Sequence, residues 1–522
     1  MNARQLFVLL SIIMLIAIAW TKMYWMFVVV TPFILLGVYD LIQTKRTILR
    51  IYPVIGHLRY LFESIRPEIQ QYFVESDISG RPISREFRAL VYQRAKNDRD
   101  SRPFGTQFDV YRTGYEWIAH SLAPVEFGNK HPRVLFGGSE CQKPYNASIM
   151  NISAMSYGAL SKSAIMALNK GAKLGNFSHN TGEGSLSPYH LKYGGDIVWQ
   201  IGTGYFGCRD SDGNFDEKIF SEKAALDVVK MIEIKLSQGA KPGHGGILPA
   251  AKLTAEISEI RHVPMGRDVI SPPSHSAFDS PKGLLQFVSK LRKLSDGKPV
   301  GFKLCIGNKT EFLAICKAML ATGISPDFIT VDGGEGGTGA APIEFTNSVG
   351  MPLRDAVFFV NNALLGIGLR QNVRIIAAAK IFSAFHIVRI LALGADSVNS
   401  ARGMMLALGC IQSRSCNTDK CPTGIATQDP ARYKSLDIES KAQRVANFHN
   451  STVQNLTELL GACGISDTNA IDLSHIQRRV NGATIASYEE LHPGVKPLCL
   501  LSDNDIPVSW KSHWNKASAD HW

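Results

Sequence analysis

Two apolar runs dominate the first 42 residues and set them apart from the rest of the chain. The first runs from Leu6 to Trp20 with only Ser11 interrupting it, and the second runs from Met23 to Ile42. Each is close to the roughly 17–25 residues that a membrane-spanning helix needs. The pattern therefore predicts a transmembrane helical hairpin over residues 1–42, with Lys22 in its tight turn.

The charges around the hairpin predict its orientation. Arg4 precedes the first run, whereas Lys45, Arg46 and Arg50 follow the second. Because Lys and Arg stay mainly on the cytoplasmic side, the rest of the chain is expected in the cytoplasm, anchored to the inner (cytoplasmic) membrane. Two alternatives fit less well. A cleaved signal peptide lacks a strong basic start, and one long helix would place a lysine at its centre.

Short apolar, β-branched runs alternate with helical patterns from about residue 130 to about residue 450. This alternation predicts a parallel sheet covered by helices on both sides, and the number of repeats favours a closed (β/α)8 TIM barrel over an open doubly wound sheet. The runs are SIMNISAM (148–155), DIVWQIG (196–202), PVGFKLCI (299–306), DFITVDGG (327–334), VRIIAAAK (373–380) and DSVNSAR (396–402).

The predicted domains follow from these patterns. A hairpin covers residues 1–42, a basic and mainly helical linker covers 43–130, the barrel covers 131–480, and a C-terminal extension covers 481–522. The net charge is +11, and basic residues are dense from Lys45 to Arg102. Anionic lipid headgroups and a solvated helical face both explain that density. The chain has no nucleic-acid-binding motif, so a nucleic-acid partner is not expected.

The loops that follow the predicted strands are rich in glycine, serine and charge. In a barrel these loops carry the chemistry. DGGEGGTGAAP (332–342) is either a ligand loop, whose glycines let the backbone approach a bound group, or a tight turn. Asp332 and Glu335 could contact a polar substrate or hold the loop. Neither the P-loop nor the GxGxxG fingerprint is present.

Three basic residues in or after the strands are candidate ligand contacts. Lys303 lies inside an apolar strand, where its charge could stabilise a reduced flavin or a carboxylate if it points into the barrel mouth; otherwise it extends to solvent at a strand end. Lys380 and Arg402 end the last two of the six runs, which are taken as the seventh and eighth strands of the barrel, where barrels commonly bind phosphate. The alternative for both is an ordinary rim charge.

Three of the nine cysteines form a C-x5-C-x4-C cluster at Cys410, Cys416 and Cys421. In a reducing cytoplasm a disulfide framework is not expected. Three thiolates suit an iron–sulfur cluster that takes three ligands. A zinc site would need a distant fourth ligand such as His449, and reduced structural cysteines are the third alternative.

Taken together, these motifs resemble the FMN-binding synthase domain of glutamate synthase. ISAMSYGALS, NTGEGS, QGAKPGHGG with LPAAK, SPPSHS, DGGEGGTGAAP and CNTDKCPTGIATQ occur in order between about residue 100 and about residue 460. The resemblance implies a (β/α)8 barrel with FMN and a 3Fe-4S cluster. In that family, reduced FMN delivers a hydride to 2-iminoglutarate, formed from 2-oxoglutarate and ammonia, to give L-glutamate.

Carried over by position, the resemblance also implies the site residues. Lys303, Glu183 and Glu335 are the implied catalytic residues, and Cys410, Cys416 and Cys421 the implied cluster ligands. The implied FMN contacts are Ala154, Met155, Ser156, Gln200, Lys303, Gly333, Gly334, Ala378, Ala379, Lys380, Ser400, Ala401 and Arg402. The family's glycine-rich phosphate loop is replaced here by AAKIFSA, so Ala379 and Ala384 are expected to weaken FMN binding or to shift the phosphate toward the other loop.

Two further expectations concern partners. The chain shows no glutamine-hydrolysing or NADPH-binding segment, so ammonia and electrons are expected from elsewhere, with ferredoxin or a partner subunit as electron donor. Whether copies of the chain form a homo-oligomer is left open. The alternatives to glutamate synthesis are a membrane-associated flavin dehydrogenase acting on another amino or hydroxy acid, and a non-catalytic barrel scaffold in a redox complex.

Overall fold

Eight short parallel strands, rich in apolar residues, close into a barrel in which each strand pairs with the next one along the chain. The computed structural model describes residues 2–76, 78–98, 101–128 and 131–522. The last strand pairs with the first, so the sheet has no free edge, and the predicted (β/α)8 barrel is confirmed. The strands are β1 (Met150–Ile152), β2 (His179–Asn180), β3 (Ile197–Ile201), β4 (Val229–Lys235), β5 (Val300–Leu304), β6 (Phe328–Asp332), β7 (Arg374–Ala378) and β8 (Ser397–Ser400).

Two of these strands lie outside the predicted apolar runs. β2 has only two residues, which is too short to produce a pattern. β4 reads VKMIEIK, and its charged residues interrupt the continuous apolar run that marks a buried parallel strand. Glu233 and Lys235 are nevertheless buried, because they turn into the barrel, where polar partners meet them.

Helices surround the barrel. The longer ones are Arg85–Lys96, Lys162–Gly175, Glu217–Ala224, Pro281–Leu294, Lys309–Thr322, Leu353–Gly366, Ala384–Ala392, Ile438–Ala462 and Val508–Lys516. The shorter ones are Pro188–Leu191, Ala250–Lys252, Ala255–Arg261, Ile343–Ser348, Arg402–Leu408, Pro430–Tyr433, Thr468–Ala470, Leu473–His475, Tyr488–Leu491 and Cys499–Leu501.

A hairpin of two antiparallel strands covers the amino-terminal end of the barrel. Its strands, Arg133–Phe136 and Tyr145–Ser148, bring Phe136 against Phe328 with the ring centroids 5.8 Å apart. These aromatic rings and the inward residues Val198, Met231 and Ile376 form one buried cluster. The barrel is therefore packed shut at this end, so a ligand has to enter at the other end.

The C-terminal segment packs on the outside of the barrel. Strands Ile476–Arg479 and Ile485–Ser487 form an antiparallel sheet with Glu116–Ile118. In helix Val508–Lys516, Trp510 lies 5.0 Å from the Phe359 ring, centroid to centroid.

A separate two-stranded sheet joins Ile247–Leu248 to Val269–Ile270.

The first part of the chain is a separate compact unit of helices. The chain divides into residues 1–85 and Glu86–Trp522. The helices of the first unit are Ala3–Thr21, Met26–Ile42, Thr47–Ile51, Gly56–Ile69 and the π-helical turn Gln70–Val74. By length and composition Ala3–Thr21 could cross a membrane, and Met26–Ile42 is apolar but has only 17 residues.

The predicted domain boundaries stay predictions, since a division by contacts does not test them. The predicted linker ends at residue 130, which lies outside the described residues. In the described part of this region the last helix ends at Lys96, and the next regular element is strand Glu116–Ile118. Lys22 adopts a left-handed conformation, with φ 55°, at the turn between the two apolar helices.

Asp327 holds the closed end of the barrel together, so its replacement by alanine is expected to destabilise the fold. The carboxylate accepts hydrogen bonds from the Arg292 guanidinium at 3.0 and 3.1 Å and from the backbone N–H groups of Val300 and Gly138. Asp327→Ala would remove the buried partner of Arg292 and leave it only the exposed Glu140 and the Ser325 carbonyl. Breaking a buried ion pair in this way costs about 3–5 kcal/mol in the free energy of unfolding. Asp296→Ala, which breaks an exposed pair with Lys143, is the control and should leave the denaturation midpoint nearly unchanged. Equal midpoints for the two variants would contradict this role.

Candidate active site

A buried carboxylate organises the polar side chains inside the barrel mouth. Glu233 on β4 accepts hydrogen bonds from Asn180 Nδ2 at 2.8 Å, Gln200 Nε2 at 2.6 Å and Thr330 Oγ1 at 2.6 Å. Inward-facing residues of three strands thus share one acceptor on a fourth strand. Because buried polar groups must be hydrogen-bonded, this network holds Gln200 in one orientation at the mouth.

Lys303 points into the barrel mouth, which is the placement that a role in the site requires. Its Nζ lies 3.0 Å from Asp332 Oδ2, and both residues are buried. Burial acts to lower the pKa of Lys303, but Asp332 and Glu233 outweigh it and raise this pKa above its ordinary value. Lys303 is therefore a fixed cation. Asp332 also accepts the Gly239 N–H at 3.0 Å, which ties the loop after β4 to β6.

Glu183 lies in a second buried group of charges beside the mouth. Lys235 Nζ is 2.8 Å from Glu183 Oε2, and Lys241 and Arg261 are close enough to act on the same carboxylate. Burial acts to raise the pKa of Glu183, but these three cations outweigh it and hold the pKa below its ordinary value. Because three cations face one carboxylate, the group attracts anions.

The glycine-rich loop after β4 closes directly over Glu183. A Cβ on Gly246 would lie 2.0 Å from Glu183 Oε1, so only glycine lets the loop approach this closely. The cavity that remains is about 20 Å³, which is room for about one water molecule. Its lining residues include Glu183, Thr203, Lys235, His244 and Pro272.

The loop after β1 lies next to this charge group. Arg261 donates to Tyr157 O at 2.8 Å and approaches Ser156 Oγ at 3.5 Å. The Met155 N–H lies 3.5 Å from Asn180 O, and Ala154 is half-buried. The structure thus brings Ala154, Met155 and Ser156 to the mouth together with Glu183 and Gln200.

The loop after β6 contains Gly333 and Gly334 and approaches two neighbours. The Gly333 N–H donates to Ala378 O at 2.9 Å, and Gly334 O accepts the Ala240 N–H at 3.1 Å. The Glu335 carboxylate accepts the Leu353 N–H at 3.0 Å, at the start of helix Leu353–Gly366. Glu335 therefore holds this loop, which is the second of the two roles that the sequence left open.

The two predicted phosphate loops are tied to each other. Ser400 Oγ donates to Ile381 O at 2.7 Å, and Lys380 adopts a left-handed conformation with φ 46°. Ala378 is buried, Ala379 half-buried, and Ala384 is the first residue of helix Ala384–Ala392.

The amino-terminal end of helix Ala384–Ala392 has hydrogen-bond partners from its own side chains. Ser383 Oγ accepts the His386 N–H, and His386 Nδ1 accepts the Phe382 N–H at 3.3 Å. The Phe87 ring lies 4.6 Å from the His386 ring, centroid to centroid. A phosphate at this end would compete with these hydrogen bonds.

The guanidinium of Arg402 lies beside the loop after β6. It occupies the space beside Gly337, where an added Cβ would come within 1.7 Å of Nη2. Asp332, Cys410 and Cys416 act electrostatically on this side chain, although burial dominates and lowers the pKa of Arg402. The structure therefore places the Arg402 side chain between the mouth and the cysteine loop. Ala401, the residue before it, precedes helix Arg402–Leu408.

Cys410, Cys416 and Cys421 come from one loop and influence each other electrostatically. All nine cysteines are free. Lys252 Nζ donates to Cys416 O at 3.2 Å and to Ala159 O, and Tyr92 Oη donates to Cys410 O at 2.6 Å. The cysteine loop is thus joined to the loop after β1 and to helix Arg85–Lys96.

The three thiols of this loop are the donor set that an iron–sulfur cluster with three ligands would use, and burial raises the pKa of one of them, Cys416. Burial acts to raise the pKa of Cys421, but the Thr423 hydroxyl and backbone N–H groups outweigh it and lower this pKa, which favours the thiolate. Burial raises the pKa of Cys410 to about 11. Among the described residues, no group of three His, Cys, Asp or Glu side chains already converges as a metal cage.

His449 does not complete a zinc site with these cysteines. Its Nε2 lies 2.9 Å from Ser148 Oγ, and its Nδ1 lies 2.9 Å from Asn450 Oδ1. Its ring stacks on Phe177 at 4.0 Å. Ser148 precedes β1, at the closed end of the barrel, so both ring nitrogens are engaged away from the cysteine loop and the zinc alternative with His449 is wrong.

Sequence reasoning missed several residues of the site. Glu233 and Lys235 lie in a strand that was not predicted, and Lys241, Lys252 and Arg261 lie in loops and short helices. The alternating charges of VKMIEIK were the one available signal, since residues two apart face the same side of a strand.

Comparison with known proteins gives consistent matches. Residues 118–466 match the family model described as the conserved region in glutamate synthase. The glutamate synthase large subunit-like protein YerD of Bacillus subtilis is 37% identical over 490 residues, which cover 86% of this chain and 93% of that protein.

Other relatives are longer than the matched region. The archaeal glutamate synthase (NADPH) of Methanocaldococcus jannaschii is 39% identical, over 61% of this chain and 60% of that protein. The archaeal-type glutamate synthase (NADPH) of Thermotoga maritima is 35% identical, over 66% of this chain and 64% of that protein. This chain thus spans less than two thirds of these two relatives.

Proposed function

The chain belongs to the glutamate synthase family, which makes it an oxidoreductase, and we propose that it reduces 2-iminoglutarate to L-glutamate with FMN and a 3Fe-4S cluster. The imine forms from 2-oxoglutarate and ammonia with loss of water. Two electrons and two protons then convert it to the amino acid. An external donor, such as ferredoxin or a partner subunit, supplies the electrons.

The charge group around Glu183 is the observation that carries this proposal. Lys235, Lys241 and Arg261 against one carboxylate give this group a net charge of +2, which matches a dicarboxylate such as 2-oxoglutarate. Arg and Lys are the side chains that bind carboxylates by charge-assisted hydrogen bonds. Because the cavity is small, the loop that contains Gly246 has to move for a five-carbon acid to enter.

FMN when bound would supply hydride transfer, and the cluster single-electron transfer. The hydrogen-bonding residues at the mouth suit a flavin ring. Gln200 is held by Glu233, and Lys303 has three N–H donors of which Asp332 takes one. Cys410, Cys416 and Cys421 would hold the cluster.

The protein's own side chains and loops bind the substrate, exclude water and stabilise the developing charge. Glu183 is held ionised, so it orients Lys235 and does not act as a proton donor. The lysine and arginine cations hold the substrate carboxylates, and the closing loop after β4 excludes water. Lys303 presents a fixed positive charge toward the developing charge of the reaction, which lowers the barrier by electrostatic stabilisation.

We also propose that the enzyme is anchored to the inner membrane with its barrel in the cytoplasm. The apolar helix Ala3–Thr21 supports this placement by its length and composition. The basic residues after the second apolar helix support the orientation. A membrane location would put the enzyme beside membrane-bound redox partners.

The proposal is tested with protein purified without oxygen. Flavin absorbance, about three irons per chain and an EPR signal from the oxidised protein are expected. In stopped-flow experiments, 2-oxoglutarate with ammonia should reoxidise the photoreduced flavin. Reoxidation by a quinone but not by 2-oxoglutarate with ammonia would favour a dehydrogenase with another substrate, and a colourless, zinc-containing protein would contradict the redox assignment.

Substrate binding is expected to weaken above about pH 8, because burial lowers the pKa of Lys241 to about 8. Lys241 is cationic below this pH and becomes neutral as the pH rises through it, so a positive charge that attracts the substrate is lost. The expected result is a KM for 2-oxoglutarate that rises above pH 8 while kcat changes less. Lys241→Arg keeps its charge and should flatten the KM profile. An identical profile in the variant would assign the pH dependence to another group.

A further inference from the structure

Helix Gly56–Ile69 presents an exposed apolar strip within the first unit of the chain. The apolar residues of this strip are between 38% and 70% exposed. Because successive helical residues are about 100° apart, they fall within an arc of about 120°. This apolar arc consists of Ile55, Leu58, Leu61, Phe62, Ile65 and Ile69.

Arginines border one edge of the arc. By the same helical spacing Arg59 and Arg66 lie beside Phe62, whereas Glu63 lies further round the helix. Lys45, Arg46 and Arg50 add positive charge immediately upstream. An apolar face with arginines at its edge is typical of helices that lie in the headgroup region of a membrane.

The start of this helix is fixed to the end of the second apolar helix. Asp40, fully buried near the end of helix Met26–Ile42, lies 2.9 Å from His57 Nε2 and accepts the Val54 N–H at 2.9 Å. The start of helix Gly56–Ile69 is therefore held against the end of helix Met26–Ile42. If Met26–Ile42 crosses a membrane, this contact places the amphipathic helix at the membrane surface.

We propose that the apolar arc inserts into the cytoplasmic leaflet of an anionic lipid bilayer, so that helix Gly56–Ile69 lies along the membrane surface. The partner is a lipid surface because the arc continues into the exposed Tyr72 and Phe73 and because the edge beside Phe62 carries two arginines, against the single Glu68 at the opposite edge. The bound helix would add a third membrane contact to the two apolar helices. This inference rests on the proposed membrane location.

The test places a photoreactive benzoylphenylalanine at single positions of the full chain in vesicles of phosphatidylethanolamine and phosphatidylglycerol. Position 62 lies in the arc, the neighbouring position 63 lies outside it, and position 13 in helix Ala3–Thr21 reports on the hairpin. After illumination, mass spectrometry identifies the adducts. Several-fold more lipid adduct at 62 than at 63 is expected.

The adducts at positions 13 and 62 distinguish failure of the interfacial helix from failure of the membrane anchor. Lipid adducts at 13 but not at 62 would overturn the interfacial helix and leave the membrane anchor standing. Adducts at 62 to the barrel or to a second copy of the chain would also overturn it, and no lipid adduct at either position would overturn both. Replacing Arg59 and Arg66 by glutamate should reduce the adducts at 62 and leave those at 13 unchanged; no reduction at 62 would overturn the role of the anionic lipid.

Discussion

Replacing Cys421 with serine is expected to remove most of the iron from the protein while FMN stays bound. Hydrogen bonds from the Thr423 hydroxyl and from backbone N–H groups favour the Cys421 thiolate, and a serine hydroxyl does not ionise in this environment. Iron should fall from about three per chain to near zero, since a three-ligand cluster has no spare thiolate. Iron analysis and EPR of the oxidised protein measure the loss.

A matched cysteine provides the control. Cys463, at the end of helix Ile438–Ala462, is also a free, buried cysteine, and Cys463→Ser should keep its iron and EPR signal. The Cys421→Ser flavin should still be reduced by light and reoxidised by substrate, whereas turnover with ferredoxin should be lost. Full iron content in Cys421→Ser, or equal loss in both variants, would contradict the assignment of the cluster.

The barrel could be predicted because most of its strands are buried on both faces. β5, β6 and β7 appear in the sequence as mainly apolar runs, and Lys303, which interrupts β5, lies at the mouth, the first of the two placements that the sequence left open. Its partner, Asp332, was also named from the loop that follows β6. The remaining strands were harder: β2 is too short for any pattern, and β4 carries charges that are paired only after the barrel has closed.

The charge group around Glu183 could not be predicted, because its members are far apart in the chain. Lys235 ends a strand, Lys241 lies in a glycine-rich loop and Arg261 ends a short helix. These cations come together at one carboxylate only because the sheet closes into a barrel and the loop that contains Gly246 packs against Glu183. In the sequence, these two lysines and this arginine cannot be told apart from charged residues at the protein surface.

Motif position did not determine where a side chain points. Arg402 follows β8 as expected, and its guanidinium lies beside Gly337 in the loop after β6. Glu335 belongs to a ligand-like loop, yet its carboxylate caps the backbone at Leu353. In both cases the local backbone agrees with the expectation, and tertiary contacts determine the direction of the side chain. Their roles toward FMN stay predictions.

Replacing Lys303 with methionine is expected to lower kcat by about 10²–10³-fold, which corresponds to about 2.7–4 kcal/mol of lost electrostatic stabilisation. Lys303 is a buried cation aimed into the mouth, and methionine keeps its length without its charge. KM for 2-oxoglutarate should change little, because the cations around Glu183 are retained. Anaerobic redox titration should show a more negative potential for the bound FMN, since a reduced, anionic flavin loses a stabilising charge.

Two further variants distinguish an effect on the reaction from an effect on folding stability. Lys303→Met leaves Asp332 buried without its partner, so the double variant with Asp332→Asn should recover stability but not kcat. Lys298 lies just before the same strand and is equally buried, with 6% exposed for each lysine, but it donates to Ala224 O and Leu226 O at the closed end of the barrel. Lys298→Met should therefore lower the melting temperature and leave kcat and the FMN potential of the folded protein unchanged. A normal kcat and potential in the double variant would show that the charge of Lys303 has no part in the reaction.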